Sequence, residues 1–300
     1  MPYRLFPLTR PQTTARRRGK RAVACAGVLL ASVTALFSAE SLGATPAAAA
    51  TSPARSGAPD GSPGAEQPHS KTRVTAAVLG LDDTRSQPTV YGDDAPYDTA
   101  SIIKVDILAA TMLQAQDEGR SLTPEEEAYA EAMIQRSDND STSALWRQIG
   151  LAPGLEAANK RLGLTSTKGG PGPLWGLTQT TASDQIRLLR ALFDTDPASN
   201  SGSTALNEKS RAYIRTLMAH VAGDQAWGVS AASRSGWALK NGWLQRSTTG
   251  LWDINSVGQV TVDGHRYLVA VLSDGNTSMK DGISVVEHMA KTAVSSASER

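Results

Sequence analysis

Ser101 and Lys104 stand three positions apart in "PYDTASIIKVDILAATMLQAQDEG", residues 96–119. The stretch reads as a helix over 100–118, apolar nearly all round, that stops at Gly119. Residues i and i+3 of a helix share a face. Asp98 or Thr99 is placed to cap it, which puts Ser101 in the first turn, where unpaired N–H groups favour negative charge on an approaching oxygen. Lys104 lies among Ile102, Ile103, Val105, Ile107 and Leu108. Burial strips water from an ammonium and lowers its pKa. A neutral amine in reach of a hydroxyl can act as its general base, which would make Ser101 a nucleophile. Taken alone, the pair is better read as an exposed lysine at a helix edge beside an N-terminal serine.

Two further groups change that reading. Ser137-Asp138-Asn139 falls in a short turn after a helix that opens at Thr123-Pro124-Glu125-Glu126, a capping box with proline at its first position. Ser137 could relay a proton to a leaving nitrogen, and Asn139 could hydrogen-bond both the lysine and a substrate carbonyl. The same triplet would also serve as an ordinary cap for the next helix. Lys240-Asn241-Gly242-Trp243 sits on the first of three C-terminal strands. A lysine at a strand edge can fix a substrate carboxylate, and Gly242 would let a ligand approach the backbone. The plainer alternative is a strand lysine before a glycine bulge.

The elements that must position these groups follow from periodicity. "VTAAVLGL" (74–81) and "PTVYG" (88–92) read as two strands joined by the polar turn 82–87. The apolar helix comes next, then helical patterns through "STSALWRQIG", "LEAANKRLG", "TASDQIRLLRALF" and "NEKSRAYIRTLMAHV". The period changes to two in "GWALKNGW" (236–243), "LWDINSVGQVTV" (251–262) and "HRYLVAVLSD" (265–274), with a hairpin turn at Asp263-Gly264. A helix over 281–296 closes the chain. The expected fold is α+β, an α/β sandwich. One antiparallel five-stranded sheet is drawn from both chain ends, with an all-helical subdomain inserted between them.

Taken together, in this order and on these elements, S-x-x-K, S-D-N and K-N-G resemble the motif set of the serine β-lactamase and penicillin-binding D-alanyl-D-alanine peptidase superfamily. The class A β-lactamases look most similar, because "SDN" matches their second motif. The resemblance spans most of residues 73–297. It implies Ser101 as the acylated nucleophile, Lys104 as its base, Ser137 as proton shuttle, Asn139 as a substrate contact and Lys240 as the group that binds the substrate carboxylate. Asn241, Gly242 and Trp243 would line the substrate, with the backbone N–H groups of Ser101 and Trp243 forming an oxyanion hole. Such a hole typically contributes about 3–4 kcal/mol per donor. The implied substrate is a small-molecule β-lactam or a D-alanyl peptide. No cofactor, metal or nucleic-acid partner is implied, and a monomer is expected.

The chain departs from that pattern in informative places. Class A enzymes deacylate with a glutamate in the loop ahead of the helix that here starts at "TQTTASD". No acidic residue lies between Glu156 and Asp184, a span with four glycines from 169 to 176 and two prolines. Asn241 stands where the family has Thr or Ser, so a hydroxyl becomes a bulkier amide. The chain between Ser101 and Ser137 is short, which implies a more open cleft, and Trp243 is bulky beside the oxyanion position. These changes spare acylation more than deacylation, so slow β-lactam turnover is expected. A D,D-peptidase acting on cell-wall peptides and a non-catalytic binding module with the same cleft remain as alternatives. Trp175 and Trp243 are the aromatic residues to watch as cleft walls.

Composition bounds the rest. Residues 1–50 read as a signal peptide: Arg4, Arg10, Arg16, Arg17, Arg18, Lys20 and Arg21, an apolar run over 22–39, and a small-residue end at "TPAAAA". An uncleaved membrane anchor is the alternative. Residues 51–72, rich in Pro, Gly, Ser and Ala, read as a disordered linker, which leaves 73–300 as the catalytic domain of a secreted protein. With seven basic residues and Glu40 in the leader, the remainder carries about −5 against +1 for the whole chain, which argues against nucleic acid. The only cysteine, Cys25, lies in the leader, so the mature chain has no disulfide or thiolate chemistry. His220, His265 and His288 are scattered and make no metal-ligand spacing.

Overall fold

The computed structural model describes residues 71–82, 87–195 and 205–299. The expected signal peptide, nearly all of the linker and most of the 82–87 turn lie outside these residues. In chain order the strands are β1 (Arg73–Gly80), β2 (Thr89–Tyr91), β3 (Tyr97–Asp98), β4 (Gln179–Thr180), β5 (Gly236–Gln245), β6 (Trp252–Val262) and β7 (His265–Asn276). The helices are α1 (Ile103–Asp117), α2 (Pro124–Gln135), α3 (Asn139–Gln148), α4 (Leu151–Leu162), α5 (Ala182–Phe193), α6 (Glu208–Met218) and α7 (Met279–Ser298).

Strands from the two ends of the chain form one antiparallel five-stranded sheet in the order β2-β1-β7-β6-β5, as their periodicity predicts. β3 and β4 add a two-stranded ladder that the sequence pattern did not reveal, because each strand is only two residues long. Alternate side chains of a strand face opposite ways, and here both faces are dry. Ala76 and Val78 of β1, with Val269 and Val271 of β7, pack on Val286, Ala290 and Val294 of α7. Ala77, Leu79, Leu268, Ala270 and Leu272 belong to the core shared with Ile107, Leu108, Ile186 and Leu189 of the helical insert. The β6–β7 turn carries positive φ at both Asp263 (50°) and Gly264 (86°), the pairing a two-residue hairpin turn requires.

α1 is the axis of the insert. It packs against α2, α3, α4 and α6, and its buried residues run from Ile103 through Leu113 without a break. Each fully buried Ile or Leu contributes about 1.5–3 kcal/mol of transfer free energy, so this axis is strongly anchored. At its C-terminus Gly119 adopts φ +66°, the left-handed conformation expected of a helix stop. α2 opens with the predicted capping box: Thr123 Oγ1 accepts from Glu126 N at 3.2 Å, and Thr123 N donates to the Glu126 carboxylate at 2.6 Å.

The helix start at Ser101 differs from the expectation. Ala100–Ile102 form a 3-10 turn that precedes α1, and neither Asp98 nor Thr99 caps it with a side chain. Asp98 is instead the last residue of β3, and its carboxylate is paired with Arg246 at the end of β5. A partner 148 residues away takes the group that local spacing assigned to the helix end.

Candidate active site

Three elements meet at the mouth of α1. Lys104, in its first turn, is fully buried, and its Nζ donates to Ser137 O (2.6 Å), Ser137 Oγ (2.9 Å) and Asn139 Oδ1 (2.9 Å). Lys240, also fully buried, reaches from β5 to the same Ser137 Oγ at 3.0 Å and to Asn241 O at 3.0 Å. One hydroxyl therefore joins two lysine amines. A hydroxyl has one proton to donate and lone pairs to accept, so Ser137 can accept from one amine while donating to the other.

Burial works against charge at both amines; a neutral Lys104 donates two of its three hydrogen bonds and accepts the third from Ser137 Oγ–H. Burial pushes Lys104 down from 10.5 to about 7, with the Asp138 carboxylate pulling the other way. Burial first, and the charge of Lys104 second, hold Lys240 well below the ordinary lysine range. Two ammonium groups on one oxygen would repel, so at neutral pH the pair does not carry two full charges.

Local backbone aims these groups. Ser137 sits past the end of α2 at φ +56°, a left-handed conformation that a residue with a Cβ rarely adopts, and Ala100, directly before Ser101, sits at φ +46°. Such positions cost of order 1 kcal/mol and persist where packing over-determines them. The turn at Ser137 is fixed by Asp138, whose N–H returns to Ala132 O at 3.1 Å and whose carboxylate caps α3 through Ser141 N at 2.7 Å. Within this triplet Asp138 caps α3, while Ser137 and Asn139 take the hydrogen bonds of Lys104.

Ser101 is 8 % exposed, in the 3-10 turn. All three donor contacts of Lys104 go to Ser137 and Asn139, and among the described residues none goes to Ser101. β5 is held against the Ser101 turn by Gly242. A Cβ there would lie 2.7 Å from Thr99 O, 2.8 Å from Ser101 N and 2.9 Å from Ile102 N. The backbone that comes close at Gly242 is thus that of the protein's own 3-10 turn. Opposite Gly242 on β6, Asn255 donates from Nδ2 to Asp98 O (2.9 Å) and Thr99 O (3.1 Å). Arg246 adds ion pairs to Asp98 and, at 3.6 Å, Asp253. Sequence reasoning missed Asn255. Its signal was present as two polar residues, Asn255-Ser256, inside a strand whose other residues are mostly apolar.

The remaining expected residues are placed as follows. Asn139 is exposed at the rim with its Oδ1 on Lys104. The Asn241 side chain faces away from Ser137, its Nδ2 donating to Gln225 O (2.8 Å) and Trp227 O (3.0 Å), so both amide protons are engaged within the protein. Trp243 is half-buried, its ring 6.1 Å from that of Trp227 on the α7 side of the sheet. Being on the edge strand, β5 leaves alternate backbone N–H groups outside the ladder. Trp175, in the loop before α5, lies with its ring centre 4.9 Å from Lys104 Nζ. Among the described residues no cluster of His, Cys, Asp and Glu could hold a metal ion.

Comparison with known proteins agrees with this architecture. The fold resembles that of the TLA-1 extended-spectrum β-lactamase, with a TM-score of 0.64 at 16 % identity, covering 74 % of this chain and 91 % of that one. It also resembles PBP-A, with a TM-score of 0.62 at 20 % identity over 79 % and 93 % of the two chains; a variant of that protein is known as an acyl-enzyme complex with penicillin G. At such identities the likeness is one of fold. In sequence, the chain is 31 % identical over 122 residues to "Putative lipoprotein LppW" of Mycobacterium tuberculosis and of Mycobacterium bovis. That match spans 40 % of this chain and 38 % of the length of those relatives. Residues 125–297, more than half of the chain, match the Beta-lactamase enzyme family, a span that takes in Ser137 and Lys240 and begins after Lys104. The chain belongs to the Beta-lactamase enzyme family.

Proposed function

We propose that this chain is an exported acyl-serine hydrolase that reacts with β-lactams or related amides and releases the acyl group slowly. The observation that carries the reading is the convergence of Lys104 and Lys240 on Ser137 Oγ, at 2.9 and 3.0 Å, beside the turn that bears Ser101. In the proposed reaction Ser101 Oγ attacks the amide carbonyl while Lys104, neutral above about pH 7, takes its proton. A bond forms between Oγ and the carbonyl carbon, and the N–H groups of Ser101 and Trp243 receive the oxyanion. The C–N bond then breaks, and the proton travels from Lys104 through Ser137 to the leaving nitrogen. Lys240 supplies the second contact to Ser137 and, through its amine N–H groups, a hydrogen-bond donor for a substrate carboxylate. Slow release follows from the segment 157–183, which offers no carboxylate to activate water.

That same absence favours a second reading, a D,D-peptidase or penicillin-binding protein acting on peptides that end in D-alanine. Export is supported by the basic and apolar leader and by the lipoprotein name of the mycobacterial relatives. The test is incubation with a fluorescent penicillin, followed by intact-mass measurement. A covalent adduct on the wild-type chain and none on Ser101→Ala supports acyl-serine chemistry; no adduct on either leaves a non-catalytic binding protein. Release within seconds marks a β-lactamase, and persistence for many minutes marks the peptidase-like alternative.

A further inference from the structure

Trp175 belongs to the loop in which the resemblance expects a deacylating glutamate, and this loop is held firmly. Trp146 Nε1 donates to Gly172 O (2.9 Å), Gly170 N to Thr178 Oγ1 (3.0 Å), and Lys168 and Gln179 exchange backbone hydrogen bonds of 2.8 and 2.9 Å. Thr99 N donates to Thr178 O at 2.8 Å, which ties the loop to the Ser101 turn itself. The indole is fixed at its far side, Nε1 donating to Ser143 Oγ of α3 at 3.2 Å. Its face is turned to Lys104 Nζ, 4.9 Å from the ring centre.

The surroundings of that amine can be enumerated. Ser137 and Asn139 take its three hydrogen bonds, the charges facing it are Asp138 from the turn before α3 and Lys240 from β5, and the indole covers a further side. Water that hydrolyses an acyl-serine must leave a proton on a base as its oxygen attacks the ester carbonyl. The C–Oγ bond then breaks, and Ser101 recovers a proton from that base. With no carboxylate in the loop, Lys104 is the base at hand.

We propose that Trp175 is a positioning residue that shields the Lys104 amine from water, keeping it dry for acylation and barring it from activating hydrolytic water afterwards. The proposal rests on the acyl-serine reading above. Removing the ring has two opposed effects on the amine. Losing a cation–π contact disfavours the ammonium. Admitting water acts the other way, because burial is the first cause of the lowered pKa, and under the proposal this effect wins.

The test compares wild type, Trp175→Ala, Trp175→Phe and Ser143→Ala for the rate of benzylpenicillin acylation against pH and for adduct lifetime by intact mass. Trp175→Ala is expected to release its adduct at least tenfold faster and to need a higher pH for half-maximal acylation. Trp175→Phe, which keeps a ring face, and Ser143→Ala, which keeps the whole indole, both lose the Nε1–Ser143 hydrogen bond, and each falls between wild type and Trp175→Ala. A Trp175→Ala protein that acylates but keeps the wild-type lifetime and pH profile overturns the shield. If that variant does not fold, unchanged values in Ser143→Ala overturn it instead. Absence of any adduct on wild type overturns the acyl-serine reading, a different failure that the wild-type sample alone reveals.

Discussion

Lys104, at the start of α1, and Lys240, on the edge strand β5, place their amines 2.9 and 3.0 Å from a single oxygen, Ser137 Oγ. Burial lowers the proton affinity of both amines, and the charge of Lys104 lowers that of Lys240 further. That leaves Lys104 with a pKa of about 7, the value the proposed base needs, without any histidine.

Ser137→Ala removes the oxygen that links the two amines while leaving Ser101 untouched. Acylation by a penicillin is expected to fall by about 10²–10⁴-fold, the range of a positioned proton-transfer group. Stopped-flow or mass-resolved acylation kinetics measure it, with the thermal midpoint recorded alongside to separate chemistry from folding.

Gly242→Ala places a methyl 2.7 to 2.9 Å from three backbone atoms of the Ser101 turn. Backbone cannot swing aside as a side chain can, so the strand and turn must separate. A loss of about 1–3 kcal/mol in stability is expected, with a loss of acylation larger than in a surface control. Denaturant titration and labelling of the folded fraction check the two parts.

Asn255→Ala removes the side chain that donates to Asp98 O and Thr99 O, directly before the Ser101 turn, and that accepts from the buried Ser273 N. A cost of about 1–3 kcal/mol is expected, with slower acylation because the turn is no longer anchored to β6.

Asp106 gives a pH-dependent prediction away from the chemistry. Its carboxyl is fully buried in α1, one oxygen has no partner among the described residues, and burial pushes it from 3.8 up to about 7. A carboxyl raised in the folded state is protonated there while the unfolded chain has already ionised. Its stability contribution is therefore full below about pH 4 and is lost as pH rises to about 7. Asp106→Asn should stabilise the protein above pH 7, by of order 1–3 kcal/mol, and show no gain near pH 4. Thermal melts at the two pH values measure the difference.

What the sequence made legible divides along physical lines. The sheet, its inserted helices and the Asp263-Gly264 turn were readable, because periodicity and turn chemistry are local. The meeting of Lys104, Ser137 and Lys240 was readable only through motif order, since 103 residues separate Ser137 from Lys240. Long-range pairing hid the rest. Asp98 was assigned to a cap and went to Arg246. Asn241 was expected to line the substrate, and its amide is engaged by Gln225 O and Trp227 O, because strand alternation turns it opposite to Lys240. Gly242 was read as space for a ligand, and that space is filled by the protein's own turn. Trp175 was flagged as a cleft wall, but its contact with Lys104 depends on a loop fold that spacing does not encode.

The most direct test of the central claim is the acylation rate of wild-type protein by benzylpenicillin between pH 5 and 9, with Lys104→Ala as reference. A buried amine acting as base predicts a rate that rises with pH to a plateau, with its midpoint near 7, and a Lys104→Ala rate that is far lower and loses that rise. A wild-type rate independent of pH over this range, or a Lys104→Ala protein that acylates as fast as wild type, would contradict the assignment of Lys104 as the base.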